Sequence, residues 1–201
     1  MHKTIYIAGM TLVFLVLTAC GGSKPSETEI HTALAEKIGQ KKGCATSVLF
    51  DTLPIKQDRV ASNQSTLNAL AVAGLLEESG STYALTSLGQ SAYDAKVNGF
   101  CYTERYEIKD ITIVKEEDKS ALSGTPLSGA WYISFTITPN SVSDWVKNPQ
   151  LLQAASLASL EKVSGSQKYT VRFAKKAGED KLFIADPGFS FQPGIHFNMG
   201  W

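Results

Sequence analysis

The chain has 201 residues, 43% of them hydrophobic and 19% charged, and its 19 Lys and Arg balance 19 Asp and Glu. That length suffices for one sizeable core or two small ones. A net charge of zero gives no electrostatic reason to seek nucleic acid or anionic lipid, and no internal repeat or long charge run is present.

In chain order, the first features are Lys3, an apolar run over residues 5–17, and then Leu17-Thr18-Ala19-Cys20. A basic start, a hydrophobic stretch and small residues in that order predict a secretory signal. The run of 13 residues is shorter than the roughly 20 that a permanent spanning helix needs. Leu-x-Ala-Cys resembles the lipobox of bacterial lipoproteins. The resemblance implies that residues 1–19 are removed and that Cys20 carries diacylglycerol on its thiol and an acyl group on its new amine. Several acyl chains make such an anchor stable without a transmembrane helix. In that family an Asp after the Cys retains the protein in the inner membrane. Gly21 stands there instead, which implies the outer membrane, on its periplasmic side. Residues 20–27 are small, polar and contain Pro25, a linker composition. Loss of Lys3 leaves 18 basic residues against 19 acidic ones, a formal charge of −1.

With Cys20 assigned to lipid, Cys44 and Cys101 remain. An even pair in an oxidising compartment reads most simply as a disulfide. A metal or redox pair is the weaker alternative, because only His31 and His196 remain as further His ligands and no Cys-x-x-Cys occurs. No metal and no cofactor is expected.

A helix is announced by Ser26 and Thr28, with Glu29 placed to close a capping box on Ser26. Its buried stripe is Ile30, Leu34 and Ile38, and Gly43 is its expected stop. A short apolar run then ends at Pro54, and a helix is expected over residues 65–76, capped by Ser65 or Thr66, with Leu67, Leu70, Ala71 and Leu75 inward. A hairpin around Gly80 and a helix capped by Thr86 follow. The order from Leu67 and Leu70, through Ala73-Gly74-Leu75-Leu76-Glu77-Glu78 and a Ser79-Gly80-Ser81 turn, to Tyr83-Ala84-Leu85-Thr86 and Gly89 resembles the third helix, wing and following helix of winged-helix domains. That resemblance covers about residues 28–95, and residues 28–99 are expected to form a winged-helix-like domain. DNA readers of this kind place Lys and Arg along the reading helix and wing to neutralise phosphates. Here Lys56, Arg59 and Lys96 face Asp51, Asp58, Glu77, Glu78 and Asp94, and residues 65–76 contain no basic residue. The unit is therefore expected to bind protein rather than nucleic acid, with Glu77 and Glu78 on its solvent side.

Past Gly99 the pattern turns to strands. The stretch from Cys101 shifts its apolar parity between Tyr106/Ile108 and Ile111/Ile113, which predicts a bulge or bend near Lys109 and Asp110. Trp131, Ile133, Phe135 and Ile137 alternate with polar residues as one face of a strand. Two helical pieces follow, the second starting at Pro149 and expected to pack on the sheet, and then a hairpin turns at residues 177–180. Residues 100–201 are thus expected to hold a four-stranded antiparallel sheet with a helix inserted between its strand pairs. The whole chain reads as α+β.

No nucleophile elbow, His-Glu-x-x-His or phosphate-cradling loop occurs. The tail sets Phe189, Phe191, Phe197 and Trp201 among Gly and Pro. It reads either as a cover for the core or as an exposed aromatic patch for a partner. Two functions are compatible with these features. One is a non-enzymatic, membrane-anchored envelope lipoprotein that binds another envelope protein as an accessory or inhibitory factor, through Glu77 and Glu78 or through Phe189, Phe191 and Trp201. The other is an envelope hydrolase, which requires a cleft holding His31 or His196 beside a carboxylate and a hydroxyl.

Overall fold

The structure, a computed structural model, describes residues 23–39, 41–57, 63–117, 124–155 and 160–197. Ser26 caps the first helix, α1 (Glu27–Ile38). Glu29 N–H donates to Ser26 Oγ at 3.2 Å, and Ser26 N–H donates back to the Glu29 carboxylate at 2.7 Å, so two orphan donors of the helix end are satisfied reciprocally. The chain continues through β1 (Gly43–Thr46), a 3₁₀ turn at Val48–Thr52, β2 (Ile55–Lys56), α2 (Gln64–Val72), β3 (Leu76–Ser79), β4 (Thr82–Leu85) and α3 (Ser87–Ala92). It then forms β5 (Tyr93–Asp94), β6 (Gly99–Thr103), β7 (Tyr106–Glu116), β8 (Leu127–Pro139), α4 (Pro149–Ala154), α5 (Leu160–Ser164), β9 (Gln167–Lys176), β10 (Leu182–Ile184) and β11 (Ile195–His196).

The fold is α+β. The four-stranded antiparallel sheet runs β10-β9-β8-β7, and α4 and α5 lie between β8 and β9 in the chain. Strict alternation in β8 buries Trp131, Ile133, Phe135 and Ile137 on one face. In β7 the register shifts between Lys109 and Thr112, and Asp110 takes a φ of 53°. Asp tolerates that left-handed conformation better than bulky residues do. The shift returns Ile111 and Ile113 to the apolar face, which is why the parity changes there. With its exposed charged residues it also blunts an 11-residue edge strand against unwanted pairing.

The expected boundary near residue 99 does not separate the cores. Ile30, Ala33, Leu34 and Ile38 of α1 pack in one cluster with Trp131, Ile133, Phe135, Val171 and Phe173. The helix expected to open the first unit therefore covers the sheet of the second half. The inserted helical segment, expected on that sheet, packs elsewhere: Leu151, Ala155 and Val163 share a cluster with Leu67 and Leu70 of α2 and with Phe50 and Phe100. The physical reason is that the aromatic face of β8 and β9 needs one apolar cover, and α1 supplies its stripe of Ile and Leu there. The last strand crosses back as well. β11 pairs in parallel with β1, in a sheet of order β11-β1-β6-β5. A third sheet, β2-β4-β3, carries the hairpin around Gly80.

Local differences have local causes. Gly74, at φ 79°, ends α2 early, so Leu75 and Leu76 leave the helix, and the N-cap is Asn63 rather than Ser65 or Thr66. Thr86 caps α3 as expected, accepting from Gly89 N–H at 2.9 Å. That helix stops at Ala92 because Tyr93 and Asp94 pair with β6, and Tyr93 Oη donates to the Phe50 carbonyl at 2.7 Å.

Glu29 links α1 to the sheet by pairing with the ammonium of Lys175, a residue only 7% exposed. The Lys175 hydrogen bond, and then the Ser26 backbone N–H, pull its carboxyl down from the usual 4.5 to about 2. Because the folded value lies below the unfolded one, the pair stabilises the fold above pH 4.5, and that contribution is lost as pH falls toward about 2. Urea unfolding of Glu29→Gln should therefore depend less on pH over that window than the unmodified chain does. Equal slopes would remove Glu29 from the account.

Candidate functional site

A recess forms where a late segment of the chain returns to an early one. Ala45 and Thr46 of β1 stand opposite Ile195 and His196 of β11. Gly194 makes the approach possible. Its φ is 102°, and a Cβ there would lie 2.5 Å from the Cys44 carbonyl oxygen, so no other residue fits without moving β1. Beside this seam lies a cleft of about 530 Å³, walled by Lys42, Cys44, Thr46, Val97 and Lys162 and by residues 192–196.

Its polar groups are oriented by named partners. Lys42 Nζ lies 3.1 Å from Asp94 and 3.0 Å from Glu104. Hydrogen bonds that the Lys42 ammonium donates to Glu104 and then to Asp94 raise its pKa, and the Lys42 ammonium lowers that of Asp94. His196 Nδ1 lies 3.2 Å from Thr46 Oγ1, and the Ile195 carbonyl oxygen lies 3.4 Å from the same hydroxyl. A hydroxyl has one proton to give. The hydroxyl gives that proton either to the Ile195 carbonyl or to His196 Nδ1, and the tautomer of His196 sets which group donates in the His196–Thr46 contact.

Cys44 and Cys101 are opposite residues on β1 and β6, with their sulfurs 2.11 Å apart, at bonding distance. Glu77 and Glu78 are exposed on β3, one of the two outer strands of its sheet, and Glu78 accepts from Gln57 Nε2 at 2.5 Å. Phe189 and Phe191 do not form an exposed patch. Phe191 is 3% exposed and stacks edge-on against Tyr106, and Phe189 packs edge-on against Phe135 and Tyr169. Phe197 is buried in the other core. These rings cover the cores because the chain, turning at the Pro and Gly residues of the tail, crosses both. Cys20 and Trp201 lie outside the described residues.

His31, half-buried on α1, does not line the cleft, whereas His196 does. The arrangement required of a hydrolase is thus met only by an imidazole and a hydroxyl. Among the described residues no carboxylate lines the cleft, and no three of His, Cys, Asp and Glu come together as a metal site. No helix of the described residues is long and apolar enough to cross a membrane. Lys42, Thr46, Lys162 and Gln192 were not recognisable as site residues from sequence. They meet only because β11 pairs with β1 across about 150 residues, and no local spacing signals that. Comparison with protein-family models, curated proteins and solved structures yields no match.

Proposed function

We propose that the protein is a lipid-anchored lipoprotein of the bacterial envelope, held through Cys20 on the periplasmic side of the outer membrane. In this reading it binds another envelope protein and catalyses no reaction. The observation that carries the proposal is the order Leu17-Thr18-Ala19-Cys20 behind a 13-residue apolar run. A cysteine pair at bonding distance fits an oxidising compartment.

The succession α2, hairpin β3–β4, α3, with β2 as a third strand, supports a winged-helix-like unit as the scaffold of the binding surface. Its α2 carries no Lys or Arg, and phosphate neutralisation supplies nearly all nonspecific DNA affinity. Random duplex should therefore not bind even at low salt, and tight, salt-sensitive binding would revive a nucleic-acid role.

The partner surface in this reading includes the acidic outer strand. Charge reversal by Glu77→Lys with Glu78→Lys should reduce capture of the partner from envelope extracts by the lipidated protein. It should alter stability by less than about 0.5 kcal/mol per site, as is usual for exposed substitutions. Undiminished capture by a stable double variant would place the interface elsewhere.

A further inference from the structure

We infer that the end of the four-stranded sheet at the β9–β10 turn, with residues 23–28 beside it, is a seat for a zwitterionic phospholipid surface. The protein then rests on its bilayer by this face and holds the β1–β11 cleft away from the lipid. The inference rests on acylation of Cys20, and the experiment reads the two separately.

Chain length comes first. Only Gly21 and Gly22 stand between Cys20 and Ser23, the first described residue, and Pro25 is already buried in the fold. Three residue steps reach at most about 11 Å, while the headgroup layer of one leaflet is about 5–7 Å deep. Acylation on both thiol and amine holds the Cys20 backbone where acyl chains meet headgroups. Ser23 therefore stands within a few Å of the headgroups, and the surface around it meets them. So short a span does not serve as a free tether.

Neighbouring elements define the face. Ser26 and Thr28 share a shallow recess of about 200 Å³ with Asp180, Lys181 and Leu182, and Glu29 pairs with Lys175 of β9. The turn at residues 177–180 is exposed beside them. Pro126 is exposed there too, and its carbonyl accepts from Ala177 N–H at 2.9 Å. From this end β9 runs away for ten residues, about 30 Å at the rise of a strand. At its other end Gln167 Nε2 donates to the Lys162 carbonyl at 3.0 Å, and Lys162 lines the cleft. Seat and cleft thus lie at opposite ends of one strand.

Charge selects the lipid. Residues 23–28 and 176–181 carry Lys24, Lys176 and Lys181 against Glu27, Glu179 and Asp180, three of each sign. Lys176 pairs with Glu179 and Lys181 with Glu36. Among the described residues Lys24, Glu27 and Asp180 form no ion pair, so both signs are open at the surface. A zwitterionic headgroup offers its phosphate to Lys24 and its ammonium to Glu27 and Asp180. Anionic lipid recruits proteins through clusters of Lys and Arg, and the seat has no such cluster.

The experiment uses the lipidated protein in phosphatidylcholine nanodiscs, with and without a trace of lipid whose headgroup chelates gadolinium. Intact mass on the same sample reads the lipid on Cys20. Gadolinium should abolish the amide resonances of Ser23, Thr28, Gly178 and Asp180 and spare those of Asn98 and Gln167, and added phosphatidylglycerol should leave that pattern unchanged. A Gly- and Ser-rich insertion between Gly22 and Ser23, which lengthens the span without touching the fold, should restore the lost resonances, because charges balanced in sign do not hold the face down alone. With lipid present on Cys20, survival of all these resonances, loss at both ends of β9, a pattern that appears only with phosphatidylglycerol, or loss that persists after the insertion would each overturn the seat and leave the anchor standing. A Cys20 without lipid would overturn both.

Discussion

Removal of the cross-link, by reducing agent or by Cys44→Ala with Cys101→Ala, should lower the unfolding free energy by about 4 kcal/mol on the chain-entropy model. The bond closes a loop spanning 57 residues. It fastens β1 to β6, and β1 also carries β11, so the first, middle and last parts of the chain share one constraint. Such a loss is a large fraction of the 5–15 kcal/mol typical of domains. Both cysteines are nearly buried, and Ala therefore replaces them without stranding a polar group. Urea unfolding of the oxidised and reduced protein measures the difference. Identical midpoints would show that the bond constrains nothing the fold does not already hold.

The second large effect belongs to α1. Leu34 is fully buried among Trp131, Ile133 and Phe173, and truncation of such a Leu to Ala costs about 2–5 kcal/mol. The substitution also tests the interleaving of the cores. Trp131 reports on the four-stranded sheet and Trp145 on the other cluster. With Trp201→Phe as a common background, Leu34→Ala combined in turn with Trp131→Phe and with Trp145→Phe leaves one tryptophan in each variant and lets fluorescence follow each core separately. The Trp131 environment should loosen first or together with the rest. A cost below about 0.5 kcal/mol, the scale of an ordinary surface change, would mean that α1 is a loosely held segment and not the cover of the sheet.

Features written into neighbouring residues were legible in the sequence. The Ser26–Glu29 capping box, the bulge at Asp110, the Thr86 cap, the Gly80 hairpin and the alternation of β8 each depend on residues within a few positions. The pairing of Cys44 with Cys101 was legible for a different reason, since Cys20 was set aside by its context and only two cysteines remained. What could not be read is which apolar stripe meets which. The stripe of α1 and the apolar side of the 149–163 segment have the same helical period, and nothing in either names the sheet as its partner. Their exchange moved the expected division of the chain. The cleft was illegible for the same reason, because Thr46 and His196 meet through a two-residue parallel pairing from opposite ends of the fold. Phe189 and Phe191, read as either cover or patch, are cover because Tyr106, Phe135 and Tyr169 present ring edges and faces to them.

The most direct test of the proposed envelope role is the intact mass and N-terminal peptide of the protein purified from the membrane fraction, alongside Cys20→Ser. The mature chain should begin at Cys20 and carry a diacylglyceryl group and an additional acyl chain, and the Cys20→Ser chain should remain unprocessed or leave that fraction. A membrane-fraction chain beginning anywhere else, or beginning at Cys20 without lipid, or a Cys20→Ser protein processed and located like the unmodified one, would contradict it.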